Sequence, residues 1–262
     1  MDRSNIEKIA RTDEDRYLLA MLWDKINGGM RKNIISAAGF LSPREQEMAQ
    51  YLFGNTEGLY SFGGYEGAER RMWVFLPDYL GEDALYDNEL SPVVCIRAVF
   101  YQNDEPCHRD FLGALMGCGI DRRCVGDICV GKGKCDFFVT REIAPYVLQN
   151  FISAGRTKLS LSQIPLAEAD LPLPEVKELK DTLASLRLDA VVSAGFRVGR
   201  SQGAQYVESG KTSVNGLPEI KPDRQLPEGA KIAVRGLGKI VLKSVNGTTK
   251  KGRVSVLIDR YI

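Results

Sequence analysis

Apolar residues recur at helical spacing near the start of the chain, where Leu18, Leu22 and Ile26 repeat every fourth position with Leu19 beside them. This spacing predicts an amphipathic helix within residues 14–27, stopped by Asn27, Gly28 and Gly29. Ser42, Pro43 and Glu45 supply an N-cap, a first-turn proline and a capping-box carboxylate, so a second helix is expected to run from there to Gly54. From residue 92 the period changes. PVVCIRAVFY is β-branched and aromatic, HRDFLGALMG is helical, CVGDICV and CDFFVT read as strands, and EIAPYVLQNFISA is helical before KLSLS. The resulting order, β-α-β-β-α-β, is that of the ferredoxin-like split βαβ unit: two helices on one face of an antiparallel sheet, with the other face expected to be free to bind.

Further on, Leu188, Val191 and Val192 form a helical stripe closed by Gly195. A second short helix from about Arg200 is expected to bury Ala204 and Val207 before Gly210 ends it. Asn215-Gly216 is the dipeptide best suited to a tight hairpin, and KIAVRGLG and RVSVLI supply further strands. Pro165, Pro172 and Pro174 lie among acidic residues, which reads as a linker entering a short helix. The expected architecture is therefore α+β in four parts. These are an N-terminal helical or α+β segment (1–75), a central domain like an RNA-recognition motif (76–164), a linker (165–186) and a C-terminal module (187–262). The sheet signature of RNA-recognition motifs is met in KCDFFVTR only at Lys134, Phe138 and Val139.

With 44% hydrophobic and 26% charged residues among 262, the chain has enough apolar content for a packed core. Its net charge of +1 conceals an asymmetry. Residues 187–262 hold 14 Lys and Arg against 6 Asp and Glu, net +8, and residues 1–186 hold 21 against 28, net −7. A basic module on an acidic body points to a polyanion partner. No export signal and no apolar stretch of bilayer length is seen, so a cytoplasmic protein without a membrane partner is expected. The six cysteines all fall between Cys95 and Cys135 and read as reduced thiols. Cys118, Cys124, Cys129 and Cys135 offer four thiolates, but only the Cys124–Cys129 gap has the spacing of a zinc knuckle. They are read as small core hydrophobes, with no metal and no cofactor.

Three motifs suggest chemistry. His108-Arg109-Asp110 is superficially kinase-like, but Leu115 stands where the metal-binding asparagine belongs and no Asp-Phe-Gly follows; His108 is read as a cap or anchor of its helix. GDICVGKG fits G-x-x-x-x-G-K but continues into a strand, so it is read as a hairpin turn with Lys132 and Lys134 at its tip. GGYEGAERR is read as a turn presenting Arg70 and Arg71. His108, Arg109, Lys132, Lys134, Arg70 and Arg71 are carried forward as secondary RNA contacts. No catalytic residue is assigned.

The string RLDAVVSAGFRVGRSQGAQYVESGKTSVNG, continuing through KPDRQLPEGAKIAV, resembles the RNA-binding domain named after ribosomal protein S-four of the small subunit. That resemblance implies two helices and a hairpin docking on structured RNA, with Arg187, Arg197, Arg200, Ser201 and Lys211 on phosphates and Asp189 orienting an arginine; Lys221 and Arg235 complete the set. Gly199 replaces a usual capping Ser, Gln202 a common Lys, and Gly203 a helix-favouring Ala at a cost of ~1 kcal/mol. GGYEGAERR, HRDFLGALMGCGIDRRCVGDICV and this module occur in the order of the YlmH family of bacterial RNA-binding proteins, which the whole chain resembles. The resemblance implies a non-enzymatic factor holding ribosomal RNA and tRNA on the large ribosomal subunit, in rescue or quality control of stalled nascent chains. It implies no small-molecule substrate. The alternatives are an RNA-modifying enzyme of pseudouridine-synthase or methyltransferase type, and a cell-division adaptor.

Overall fold

The computed structural model describes residues 3–54, 56–171, 176–248 and 252–261. It divides into two compact units, one ending at Pro172 and the other beginning at Leu173. In the first unit α1 (Ile6–Ile9) leads into α2 (Asp13–Lys32), whose N-cap Thr12 accepts the Asp15 amide. Helix α2 does not stop at Asn27. It continues to a C-cap at Asn33, and Gly29 is buried where a Cβ would lie 2.2 Å from the Ser36 Cβ at the start of β1 (Ser36–Leu41). That glycine marks a close helix–strand approach. Helix α3 (Pro43–Phe53) carries the expected Ser42–Glu45 capping box and ends at Gly54, and β2 (Leu59–Phe62) and β3 (Arg71–Phe75) complete a sheet of order β1-β3-β2. One face of that sheet meets α2 and α3 through Leu22, Ile26, Leu52 and Trp73.

The central segment runs β4 (Val93–Val99), α4 (His108–Gly117), β5 (Val125–Val130), β6 (Lys134–Thr140) and α5 (Ala144–Asn150), as expected from the sequence pattern. A small hairpin, β7 (Ser153–Ala154) with β8 (Thr157–Lys158), precedes β9 (Ser160–Ile164). The sheet order is β5-β6-β4-β9, with every neighbouring pair antiparallel. Helices α4 and α5 cover one face through Phe111, Leu115, Val147 and Phe151, packed on Ile96, Phe137 and Val139. The opposite face, expected to be free, is covered: Phe40, Phe62, Met72 and Val74 of the N-terminal sheet pack on Val93, Cys95 and Phe138. Strands β4 and β6 are apolar on both faces, and such strands are buried on both sides. Residues 1–75 and the central segment thus share a core.

The segment expected as a linker is also ordered. Leu166 is buried, the Arg97 guanidinium donates to the Glu168 carbonyl (2.9 Å), and the Asp170 amide donates to Asp136 (2.6 Å). Pro172 and Pro174 lie outside the described residues. Beyond them comes a strand, not a short helix: β10 (Val176–Leu183) pairs antiparallel with β15 (Val254–Tyr261) and sends Leu179 and Leu183 into the second core.

The second unit continues with α6 (Leu188–Phe196), α7 (Arg200–Glu208), β11 (Thr212–Val214), β12 (Leu217–Pro218), β13 (Lys231–Val234) and β14 (Gly238–Thr248). Its sheet has the order β10-β15-β14-β13-β11-β12, and the β11–β12 turn is the predicted Asn215-Gly216, with φ of 51° and 82°. Leu188, Val191, Val192 and Val207 pack against Ile232, Ile240, Leu242 and Ile258. Helix α7 buries Gly203 and Val207, whereas Ala204 is only partly covered. A Cβ on Gly203 would lie 2.8 Å from the Asp189 carbonyl, so the glycine permits the α6–α7 crossing.

Candidate nucleic-acid interface

Arg187 is the N-cap of α6, and two residues later Asp189 turns inward, 5% exposed. The Asp189 carboxylate accepts Arg187 Nε and Nη2 at 3.1 and 3.3 Å and the Ala190 amide at 2.9 Å, and lies 3.6 Å from Arg200 Nε at the start of α7. One buried carboxylate thus gathers an arginine from each helix, offsetting the repulsion between them. Its hydrogen bonds also hold the Arg187 guanidinium above its ordinary pKa. Gly199, the N-cap of α7, supplies no side-chain cap, so the helix opens beside Arg200 and Ser201 with its first-turn amides uncapped by a side chain, which favours an anion there. Arg197 occupies the turn between the helices, exposed and left-handed at φ 55°. The 219–225 loop rests on the start of α6, where Leu188 N donates to Arg224 O (2.8 Å) and Asp189 N to Pro222 O (3.0 Å); exposed Lys221 belongs to this loop.

Lys211 and Arg235 are elsewhere. The Arg235 amide donates to the Lys211 carbonyl at 2.8 Å, and Lys211 Nζ lies 5.8 Å from the Tyr206 ring centre. Both stand beyond the C-terminus of α7, about 13 Å of helix from Arg200. The cations read from the sequence as one surface therefore form two groups.

In the first unit three of the six secondary candidates, Arg70, Arg71 and Lys134, are engaged by the protein itself. Arg70, half-buried, donates to the carbonyls of Phe40 (2.6 Å) and Val125 (3.2 Å), while Arg71 Nε donates to Ala68 O at 2.8 Å. Asp127 of β5, which carried no role in the sequence reading, accepts the Tyr65 hydroxyl (2.8 Å) and the amides of Glu69 (2.6 Å) and Arg70 (3.0 Å). It fastens the whole GGYEGAERR turn. Gly64, at φ 98°, lies on Phe138, whose ring a Cβ would approach to 2.6 Å. Phe138, one of the three matches to the RNA-recognition signature, is fully buried with the Tyr65 ring 5.0 Å away and tilted by 33°, and Lys134 pairs with Asp170 at 2.6 Å. Lys132 is exposed in the β5–β6 hairpin turn, and no helix follows it.

His108 and Arg109 open α4 and are exposed, but the cap is made by Asp110, which accepts the Cys107 amide at 2.8 Å. His108 is held below its ordinary pKa by partial desolvation and then by Arg122, whose own guanidinium is pushed down to about 10 by burial and by Arg70. Cys95 and Cys135 are buried on opposite faces of the central sheet, and burial pushes Cys129 up to about 11. Among the described residues no three His, Cys, Asp or Glu side chains gather in a metal-binding arrangement.

Two arginines gathered by one buried carboxylate beside an uncapped helix start make a surface of the class suited to an anion. Residues 104–168 match the family described as "Putative RNA-binding domain in YlmH". The chain is also 31% identical over 259 residues to the ribosome-associated protein quality control protein P2 of Bacillus subtilis (strain 168), covering 98% of this chain and 99% of that protein. The chain belongs to the YlmH family. A solved structure titled cell division protein ylmH from Streptococcus pneumoniae is 21% identical, covers 61% of this chain and 96% of its own, and superposes with a TM-score of 0.47.

Proposed function

We propose that this protein is a non-enzymatic RNA-binding factor that holds ribosomal RNA and tRNA on the large ribosomal subunit and acts in quality control of stalled nascent chains. In this reading the second unit is an S-four-like RNA-binding module and the central segment an RNA-recognition-motif-like domain. The observation that carries it is the Asp189-centred pair of Arg187 and Arg200, in a segment of net charge +8, where two guanidiniums are pre-oriented for phosphates. The relative's printed name supports the ribosomal setting. Asp189 belongs to the Arg-Leu-Asp triplet that superficially resembles a pseudouridine-synthase motif, but here it is buried and paired with arginines, which supports a binding role. Co-sedimentation with separated ribosomal subunits, with and without peptidyl-tRNA, across a salt titration tests the proposal. Preference for the large subunit, increased by peptidyl-tRNA and weakened by salt, is expected. Equal binding to both subunits, or none, would overturn it.

A further inference from the structure

The loop that rests on the start of α6 is braced from within. Glu219 is fastened to β11 by its own amide, which donates to Thr212 O at 3.0 Å, and its side chain is only 14% exposed. The Glu219 carboxylate accepts the Ile220 and Lys221 amides at 3.0 and 2.9 Å and Arg224 Nη1 at 2.6 Å. These bonds, led by that of the Lys221 amide, hold Glu219 below the ordinary carboxylate range, so the brace stays charged through the neutral range. Between the braced ends the chain turns, with the Arg224 amide on Lys221 O at 3.2 Å, and Leu226 N then donates to Leu186 O at 2.9 Å.

The first three amides of α6 are all used inside the protein: those of Leu188 and Asp189 by carbonyls of this loop, and that of Ala190 by the Asp189 carboxylate. Unlike α7, α6 has no first-turn amide to give a phosphate, and its start can contact RNA only through side chains. Arg187 supplies one. Lys221 supplies another: it is exposed, its side chain has no partner among the described residues, and it precedes Pro222, whose carbonyl accepts the Asp189 amide.

We propose that Glu219 is a positioning residue of the RNA site: by locking the 219–224 turn it holds Lys221 at the start of α6, where Lys221 and Arg187 meet the same stretch of RNA backbone. The inference rests on the RNA-binding reading above. Glu219 is itself an anion close to the bound RNA, so charge alone would make its removal strengthen binding, whereas positioning makes its removal weaken it. The sign of the effect separates the two.

The experiment follows the affinity of the full chain for a labelled RNA hairpin of about 16 base pairs across a salt titration. Lys221→Ala is expected to weaken binding about fivefold and to reduce the salt slope by about 0.9, the share of one phosphate. Glu219→Ala is expected to weaken binding about threefold and to reduce the slope as well, whereas Glu219→Gln, whose amide oxygen still accepts the two loop amides, keeps affinity within about twofold. In a chain already carrying Lys221→Ala, adding Glu219→Ala is expected to weaken nothing further, a coupling that a general loss of stability does not produce. Circular dichroism verifies the fold; should Glu219→Ala fail to fold, Glu219→Asp, too short to span the turn, replaces it with the same expectation. Affinity unchanged or raised in folded Glu219→Ala, an equal loss with and without Lys221, or unchanged affinity and slope in Lys221→Ala overturns this inference alone. No hairpin binding by the unaltered chain overturns it together with the RNA-binding reading.

Discussion

Asp189 shows how one buried side chain organises others at the surface. Asp189→Asn keeps the shape but removes the charge that draws Arg187 and Arg200 together. Affinity for structured RNA is expected to fall about fivefold, the equivalent of about 1 kcal/mol. Fluorescence anisotropy, with circular dichroism to verify the fold, checks this; unchanged affinity would leave Asp189 a purely structural residue. Gly203 provides a second residue-level prediction of opposite sign to the helix scale. Propensity says Gly203→Ala stabilises α7, but the Cβ would lie 2.8 Å from the Asp189 carbonyl, so a loss of about 1–3 kcal/mol is expected in urea unfolding. Asp15 ties acid stability to the N-terminal helices. Against the cost of its burial, the Arg11 amide and Arg44 guanidinium hold its pKa below the ordinary value. Its stabilisation is therefore present above the unfolded carboxylate pKa of about 4 and is lost as pH falls through the lower folded value. Asp15→Asn is expected to cost about 1.5–3 kcal/mol at neutral pH and to flatten the acid limb of thermal unfolding.

At the scale of elements, Asp127 makes the 63–71 turn part of the central sheet by accepting two backbone amides and a tyrosine hydroxyl. Asp127→Ala leaves three donors without their acceptor, and amide exchange in residues 63–70 is expected to accelerate well before that of β4 and β6. Exchange no faster than in the unaltered chain would show that Gly64 against Phe138 suffices. The turn was legible in the sequence from its glycines, but its latch was not, because Asp127 lies nearly 60 residues away along the chain. Strand β10 was misread for a related reason. Val176, Leu179 and Leu183 have helical spacing, and only pairing with β15, far downstream, makes the segment extended.

At the scale of the whole molecule, the unit boundary changes which fragment folds. A fragment of residues 173–262 keeps β10, whereas one starting at residue 187 loses Leu179 and Leu183 from the core and exposes β15 as an edge. The shorter fragment is expected to be less stable by about 3 kcal/mol or more, measurable by urea unfolding. The longer one is expected to retain most of the RNA affinity that residues 1–172 lack, since the basic excess and the paired arginines are in it. Tight RNA binding by residues 1–172 would instead move the main site to the acidic unit.

The sequence by itself determined the local and compositional features: the α3 capping box, the order β-α-β-β-α-β, the Asn215-Gly216 turn, and the charge imbalance between the two ends. Each of these depends on residues a few positions apart or on summed charge. It also carried the family resemblance, now supported over nearly the full chain. Tertiary structure decided everything that depends on a distant partner. The N-terminal sheet covers the central face expected to be free, Arg70 donates to backbone carbonyls, β10 becomes a strand, and the cations of the second unit divide between helix ends and sheet. Periodicity tells a residue which side of its own element it lies on. It does not say what covers that side, because burial is a property of surfaces brought together by the fold.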